Sequence, residues 1–187
     1  MVKALVFLAT GFEEIETVTI VDVLRRAGIE VIVAGLTPNA IEGAHEMKMV
    51  PDTSLDDVEI EDFDAIVVPG GNPGYKNLRK DSRVISMIKQ AFNSNKLIAA
   101  ICAAPAVLSD AGTLKGKACT IYPGMENELE KGGGIPKQDT IVIDENLVTS
   151  RGPATALPFA ITLVEKLAGK EAAEAVSKKT LANILRW

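Results

Sequence analysis

The chain of 187 residues has few of the residue types on which several common functions depend. It contains one histidine, His45, and two cysteines, Cys102 and Cys119. Two cysteines cannot build a disulfide framework, so a reducing compartment, the cytoplasm, is expected. No group of histidines and cysteines has metal-ligand spacing, and no glycine-rich nucleotide fingerprint is present. The sequence therefore predicts no metal and no cofactor.

Positive charge is also scarce, because the formal net charge is −5 and aromatic residues make up only 4% of the chain. Without a basic run or an aromatic platform, nucleic acid is not an expected partner. No apolar run is long enough to cross a membrane. Residues 1–8 are apolar but include Lys3 and end in a polar loop, which predicts a first strand and not a leader. The length predicts a single domain over residues 1–187.

Short apolar runs alternate with amphipathic stretches, a pattern that predicts a doubly wound α/β sheet, mostly parallel, between helices. Buried strands are predicted at residues 3–8, 30–35, 65–68 and 97–101, and a shorter strand at 117–121. Residues 41–49 and the segment around Pro51 are expected to be irregular, with a small hairpin as one form, and a hairpin is predicted at residues 140–150. Helices are predicted at residues 14–27, 82–93, 106–111, 125–131, 151–167 and 170–185, and Pro158 indicates a kink or a late start in the fifth.

Cys102 follows the strand at residues 97–101 directly and precedes a helix that Pro105 can open. In an open α/β sheet, ligands bind at the carboxyl ends of the strands. The N-terminus of a helix also favours thiolate over thiol, and the thiolate is the nucleophile. The alternative is that Cys102 is a small buried apolar residue, as free cysteines often are.

A second loop at the carboxyl end of a strand is rich in glycine. Residues 69–74 include three glycines, which let backbone N–H groups approach a ligand closely, although a plain tight turn has the same composition. The loop after the first strand reaches the same edge of the sheet. The convergence of these two loops with Cys102 favours a functional role for the cysteine.

Five segments follow one another in a recognisable order: residues 9–17 (ATGFEEIET), 25–28 (RRAG), 67–72 (VVPGGN), 98–103 (IAAICA) and 149–153 (TSRGP). In this order they resemble the ThiJ/PfpI superfamily and specifically its DJ-1 branch. The resemblance covers nearly the whole chain. It implies a flavodoxin-like fold, a homodimer and a cysteine sensitive to oxidation. A dimer contact near the first helix is also favoured by that helix's apolar side chains, which exceed what one sheet face needs.

The same resemblance implies roles for individual residues. Cys102 would be the nucleophile and Glu16 the carboxyl group beside it, while the N–H groups of Gly71 and Ala103 would form an anion-binding cradle. A carboxylate close to a thiolate is repelled, so one member of this pair must hold a proton. Glu13 and Glu14 are expected to be solvated charges in the first turn of a helix.

Two positions depart from the pattern of the superfamily. Ala103 stands where the peptidase-like branch has a histidine after the nucleophile, and Tyr122 stands where many DJ-1 members have a histidine before a proline. Tyr122 is either a proton donor or a packing residue. His45 is expected to be a surface or interface residue. Without an imidazole beside Cys102, peptide hydrolysis is hard to explain, because the leaving amine needs a positioned acid.

Three functions are therefore weighed. The first, which the resemblance implies, is a cofactor-free enzyme of the glyoxalase or deglycase type that acts on small α-oxoaldehydes such as methylglyoxal. The second is an oxidative-stress sensor or chaperone with an oxidisable Cys102. The third, a cysteine peptidase, is the least favoured.

Overall fold

The computed structural model describes residues 2–184. Its strands are β1 (Lys3–Leu8), β2 (Glu30–Gly35), β3 (Ile41–Glu42), β4 (Lys48–Met49), β5 (Thr53–Ser54), β6 (Ala65–Val68), β7 (Leu97–Ile101), β8 (Ala118–Cys119), β9 (Ile135–Pro136), β10 (Ile141–Asp144) and β11 (Leu147–Ser150). Its α-helices are α1 (Glu14–Arg26), α2 (Gly74–Lys80), α3 (Ser82–Asn93), α4 (Pro105–Asp110), α5 (Glu126–Lys131), α6 (Ala156–Ala168) and α7 (Lys170–Lys179).

A seven-stranded sheet runs through the middle of the molecule in the order β10-β11-β7-β6-β1-β2-β5. All neighbouring pairs are parallel except β10 with β11, which form the predicted hairpin at one edge. The predicted doubly wound, mostly parallel sheet is therefore confirmed. The chain moves from β1 to β2 on one side and later returns to place β6 on the other side. Such a reversal leaves a crevice at the carboxyl ends of the strands.

Each face of the sheet carries its own apolar core, because successive side chains of a strand point to opposite faces. On β1, Leu5 and Phe7 pack with α2 to α5 on one face. Val6 and Leu8 pack with α1, α6 and α7 on the other. Burial on both faces explains why the predicted central strands are unbroken apolar runs.

Helix α1 packs against α6, which covers most of the apolar surface that the sequence assigns to α1. Ile20 and Leu24 are fully buried. Ile15 and Val18 remain exposed at 57% and 50% on the outer side of the helix. The apolar excess expected on this helix is thus reduced to a small patch.

Several elements differ from the sequence prediction, among them β5 and β9, which were not predicted. Helix α2 was not expected, since Pro73 and Gly74 suggest only a turn. The predicted strand at residues 117–121 shrinks to β8, which pairs with β9 outside the main sheet. The predicted last helix ends early at Lys179, and Leu185 lies outside the described residues.

The late start indicated by Pro158 is confirmed. Helix α6 begins at Ala156, so the proline occupies the first turn, where no N–H donor is needed. Within residues 2–184, no helix combines the length and the apolar character needed to span a bilayer.

Candidate active site

Cys102 lies between β7 and α4 in a left-handed backbone conformation, with φ at +63°. Backbone bonds hold it on both sides. Its N–H donates to the carbonyl of Ser150 at 3.0 Å, and its own carbonyl accepts the N–H of Tyr122 at 2.9 Å. Pro105 opens α4, as the sequence predicted. The chain therefore turns sharply at the thiol, and the turn leaves the side chain only partly buried.

Glu16 is fully buried in the first turns of α1. Its Oε2 accepts the N–H of Gly70 at 2.8 Å. Its Oε1 is buried without a hydrogen-bond partner among residues 2–184. A Cβ atom on Gly70 would lie 2.7 Å from both Glu16 Oε2 and Cys102 Cβ. Glycine is therefore required where the strand end, the carboxyl group and the cysteine converge.

Gly71 is the second glycine that the site requires. Its φ is +100°, and a Cβ atom there would lie 2.3 Å from the nitrogen of Glu13. The N–H groups of Ala103 and Gly71 both face the thiol and act to lower its pKa. The structure thus brings together the four predicted residues Cys102, Glu16, Gly71 and Ala103.

Burial and charge act strongly on the thiol and the carboxyl group. Burial raises the pKa of Glu16 from 4.5 to about 7, against the opposing effect of the Gly70 hydrogen bond. Burial and the charge of Glu16 raise the pKa of Cys102 to about 12, more than the two N–H groups lower it. The expectation of a thiol pKa lowered by the helix N-terminus is wrong, because burial and the charge of Glu16 outweigh the two N–H groups. Since the two anions exclude each other, the pair holds one proton above about pH 7, and that proton lies on the thiol when Glu16 is ionised.

The thiol opens into a cavity of about 580 Å³. Tyr122 lines this cavity with 48% of its surface exposed, and its hydroxyl has no hydrogen-bond partner within the described part of the chain. The full lining is Glu13, Ile15, His45, Gly71, Asn72, Tyr75, Cys102, Ala103, Tyr122, Met125 and Pro153. The cavity is large enough for a small molecule, although it is open to solvent.

Glu13 and Glu14 are not solvated, contrary to the sequence prediction. They are only 9% and 6% exposed, because the β3–β4 hairpin folds over the start of α1. Glu14 Oε1 accepts the backbone N–H of His45 at 2.7 Å, and Glu14 Oε2 lies 2.9 Å from His45 Nδ1. Burial acts to raise the pKa of Glu14, but the bonds from His45 outweigh it and lower that pKa. The hydrogen bond to Glu14 raises the pKa of His45.

His45 is exposed, as expected, but it also lines the cavity that contains Cys102. Sequence analysis could not find this group, because 31 residues separate Glu14 from His45 and no local pattern links them. Glu13, Glu14 and His45 are also the one group of three metal-ligating side chains among the described residues.

Comparison with known proteins identifies relatives over nearly the whole chain. A family described as the DJ-1/PfpI family matches residues 2–166. The protein dj-1beta of Drosophila melanogaster is 45% identical over 180 residues, which are 96% of each chain. Its crystal structure has a TM-score of 0.91 at 44% identity, covering 96% of this chain and 97% of that one. The predicted flavodoxin-like fold is thereby confirmed.

Two further relatives bear on chemistry. The glutathione-independent glyoxalase DJR-1.2 of Caenorhabditis elegans is 36% identical over 166 residues, 89% of this chain and 88% of that protein. A structure of Toxoplasma gondii DJ-1 described as oxidized has a TM-score of 0.91 at 37% identity, covering 97% of this chain and 98% of that one.

Proposed function

Because the chain belongs to the DJ-1/PfpI family, we propose that it is a cofactor-free enzyme that converts small α-oxoaldehydes, such as methylglyoxal, into hydroxy acids. One observation carries this proposal. The buried carboxyl group of Glu16 and the side chain of Cys102 converge on Gly70, and Cys102 also lines an open cavity. A nucleophile and a group that gives and takes protons are thus adjacent. The relative described as a glutathione-independent glyoxalase supports the same chemistry.

The reacting form would carry the proton on Glu16 and the negative charge on Cys102, after transfer of the thiol proton to the adjacent Glu16 carboxylate. The thiolate would form a bond with the aldehyde carbon, and the electron pair of the carbonyl bond would move to its oxygen. Glu16 would then donate its proton to that oxygen, which gives a hemithioacetal. Glu16 is suited to this step, since a pKa raised to about 7 allows it to donate and accept protons at neutral pH.

The Glu16 carboxylate would then remove the hydrogen from the former aldehyde carbon, giving an enediolate, and return the proton to the neighbouring ketone carbon. The hydroxyl proton of the hemithioacetal would pass to the former ketone oxygen, so that the first carbon becomes a carbonyl group and the second carries a hydroxyl group. This transfer yields a thioester of a 2-hydroxy acid on Cys102. Water would attack the thioester, release the acid and restore the thiol. The balance is one methylglyoxal and one water for one lactate, with no oxidant or reductant.

Glycated amines could enter the same scheme, since they carry a methylglyoxal-derived carbon next to a carbonyl group, and this is the deglycase form of the proposal. Peptide hydrolysis is disfavoured by the surroundings of the thiol. Ala103 cannot transfer protons, and Tyr122 is a poor base at neutral pH because an ordinary tyrosine has a pKa near 10. Cytoplasmic localisation and a homodimer remain predictions.

A second candidate is a sensor of oxidative stress. Two N–H groups, from Gly71 and Ala103, face the sulfur of Cys102. Such donors would stabilise the negative oxygens of a sulfinate. The relative crystallised in a form described as oxidized favours this candidate.

Incubation of the purified protein with methylglyoxal, followed by an assay for lactate, tests the enzymatic proposal. We expect turnover in the unmodified protein and in Cys119→Ser, and none in Cys102→Ser. Glu16→Gln should lose at least about 100-fold in kcat, as is typical when a positioned proton donor is removed. Absence of lactate, with a sulfinate formed at Cys102 by dilute peroxide, would instead support the sensor.

A further inference from the structure

We propose that Glu13 is a specificity-determining residue of the Cys102 cavity, where its negative charge disfavours anionic molecules and so selects uncharged α-oxoaldehydes. The preference among substrates rests on the proposed function, whereas the effect of Glu13 on anions at the thiol does not depend on catalysis. Two observations support the proposal, namely the place of Glu13 in the cavity wall and the balance of charge around it.

Glu13 presents a carboxylate to the cavity and makes no structural use of it in the helix that it precedes. It is the N-cap residue of α1, yet its side chain makes no capping hydrogen bond. The carboxylate lies 3.7 Å from His45 Nδ1, which is too far for a hydrogen bond, and 11% of the side chain is exposed. Since Glu13 lines the cavity, its charge acts on the molecules that enter there.

The backbone holds Glu13 next to the groups that react. The N–H of Glu13 donates to the carbonyl of Gly70 at 3.1 Å, and the N–H of Gly70 donates to Glu16 Oε2 at 2.8 Å. A Cβ atom on Gly71 would lie only 2.3 Å from the nitrogen of Glu13. Glu13 therefore contacts the same glycine turn that positions the buried carboxyl group and one N–H of the anion-binding cradle.

The charge of Glu13 also reaches these groups. Burial is the largest cause of the raised pKa of Glu16, and the negative charge of Glu13 adds to it. Like charges repel each other more strongly where water is partly excluded than in bulk water. A charge that acts on Glu16 therefore also acts on an anion bound beside Cys102.

The described cavity wall contains no lysine or arginine that would offset Glu13. His45 is already paired with Glu14, since its Nδ1 lies 2.9 Å from Glu14 Oε2. With His45 protonated, the two carboxylates and the imidazole keep one net negative charge, and with His45 neutral they have two. Lys76 Nζ lies 5.7 Å from the centroid of the Tyr75 ring, but Lys76 does not line the cavity. The wall is therefore negative in both states of His45.

This charge implies a preference among α-oxoaldehydes. The N–H groups of Gly71 and Ala103 face the sulfur, so they would stabilise negative charge that develops at the reacting atoms. Glu13 would act instead on charge carried elsewhere in the substrate. An α-oxoaldehyde with a carboxylate would be repelled, whereas methylglyoxal would enter without that cost. The hydroxy acid product is itself an anion, so the same charge would favour its release.

Alkylation of Cys102 by two reagents of similar size tests the effect of charge without catalysis. Iodoacetamide is neutral and iodoacetate is anionic, and the ratio of their rates cancels any change in the amount of thiolate. At low ionic strength, we expect the ratio of the iodoacetamide rate to the iodoacetate rate to fall at least about threefold in Glu13→Gln, because a repelling charge is removed. Peptide mass spectrometry measures both rates. Glu42→Gln is the matched control, because Glu42 is paired with Lys48 and does not line the cavity, and its ratio should equal that of the unmodified protein.

The preference among substrates is measured with 4,5-dioxopentanoate, an α-oxoaldehyde that carries a carboxylate, and with its uncharged methyl ester. In the unmodified protein, kcat/KM should be at least about threefold higher for the ester, and this preference should shrink in Glu13→Gln. Glu42→Gln should retain it.

An alkylation ratio that is the same in Glu13→Gln and in the unmodified protein would overturn the proposal. An unchanged preference for the ester in Glu13→Gln would overturn its extension to substrates. A ratio that falls as expected, without turnover of either aldehyde, would support the effect of Glu13 on anions and reject the enzymatic function. Glu13→Ser supplies a favoured N-cap residue for α1 and replaces Glu13→Gln if circular dichroism shows a loss of folding.

Discussion

The N–H of Gly70 donates a hydrogen bond of 2.8 Å to Oε2 of Glu16, so a strand end fixes the orientation of a fully buried carboxyl group. The second oxygen of Glu16, Oε1, has no hydrogen-bond partner in the described chain. When Glu16 is protonated, we therefore expect the proton on Oε1. The charge state of this group controls the thiol beside it, and the first two predictions test that relationship.

Removal of the Glu16 carboxyl group should change the titration of Cys102. In the unmodified protein, we expect thiolate absorbance to appear only at high pH, near the thiol pKa of about 12 that burial and the charge of Glu16 produce. Glu16→Gln retains an N–H donor, whereas Glu16→Leu does not. The thiol pKa should therefore be higher in Glu16→Leu than in Glu16→Gln by at least about one unit, or roughly 1.4 kcal/mol. Thiolate that already appears near pH 7 in the unmodified protein would instead place the remaining proton on Glu16.

The raised pKa of Glu16 also predicts how stability depends on pH. Between pH 4.5 and about pH 7, Glu16 holds a proton in the folded state that it has lost in the unfolded state. The free energy of unfolding therefore falls as pH rises through this window, by an amount on the order of 3 kcal/mol. Glu16→Gln cannot titrate. Urea unfolding should show this variant gaining stability relative to the unmodified protein from pH 4 to pH 8, and a constant difference would contradict the prediction.

The two cysteines should differ in their reaction with iodoacetamide. Cys102 lines the cavity, whereas Cys119 is 0% exposed. We expect Cys102 to be alkylated at least about tenfold faster, because the thiolate must be accessible to react. Peptide mass spectrometry over time measures both rates, and Cys119→Ser should leave the fast rate unchanged. Equal rates at the two positions would exclude a reactive Cys102.

The exposed patch of Ile15 and Val18 on α1 predicts a homodimer. We expect a sedimentation mass of twice 19.9 kDa at micromolar concentration. Val18→Lys should shift the protein toward the monomer, since it places a charge in an apolar contact. Ile143→Lys is a matched control, because Ile143 is 47% exposed on the edge strand β10. A monomeric mass for the unmodified protein would contradict a dimer formed through α1. Dissociation by Ile143→Lys but not by Val18→Lys would also contradict it.

Tyr122 is expected to modulate turnover and not to be essential. Its backbone N–H, and not its hydroxyl, contacts Cys102. Tyr122→Phe should therefore change methylglyoxal turnover less than about threefold, which is under 0.7 kcal/mol of barrier. Tyr122→His should raise turnover if proton transfer limits the reaction. A loss of about 100-fold in Tyr122→Phe would make the hydroxyl a proton donor. A fall in Tyr122→His, with an unchanged thiol pKa, would argue against α-oxoaldehydes as the substrate class.

The sequence predicts those parts of the site that depend on local patterns of residues. Apolar runs locate the ends of β1, β6 and β7, and parallel pairing then brings the loops after them to one edge of the sheet. Cys102, Glu16 and Gly71 follow from those positions together with the family resemblance. Pro105 marks the start of α4 for a local reason as well, because its missing N–H fits only the first turn.

The parts that the sequence does not predict depend on distant segments. Glu13 and Glu14 have the composition of an exposed first turn, and only the arrival of the hairpin that carries His45 buries them. Burial and the charge of Glu16 together raise the pKa of Cys102 more than the nearby N–H groups lower it. Neither effect leaves a periodic signal in the chain, since each arises from tertiary contact.

The left-handed backbone at Cys102 limits which substitutions can be used to study this position. With φ at +63°, a β-branched side chain such as valine or threonine would be strained there, whatever its chemistry. Asparagine and aspartate adopt this conformation more readily than other residues that carry a Cβ atom. A loss of activity in Cys102→Thr would therefore combine the loss of the sulfur with a distortion of the turn. Asparagine or aspartate at this position would change the chemistry of the side chain while leaving the main-chain path in place.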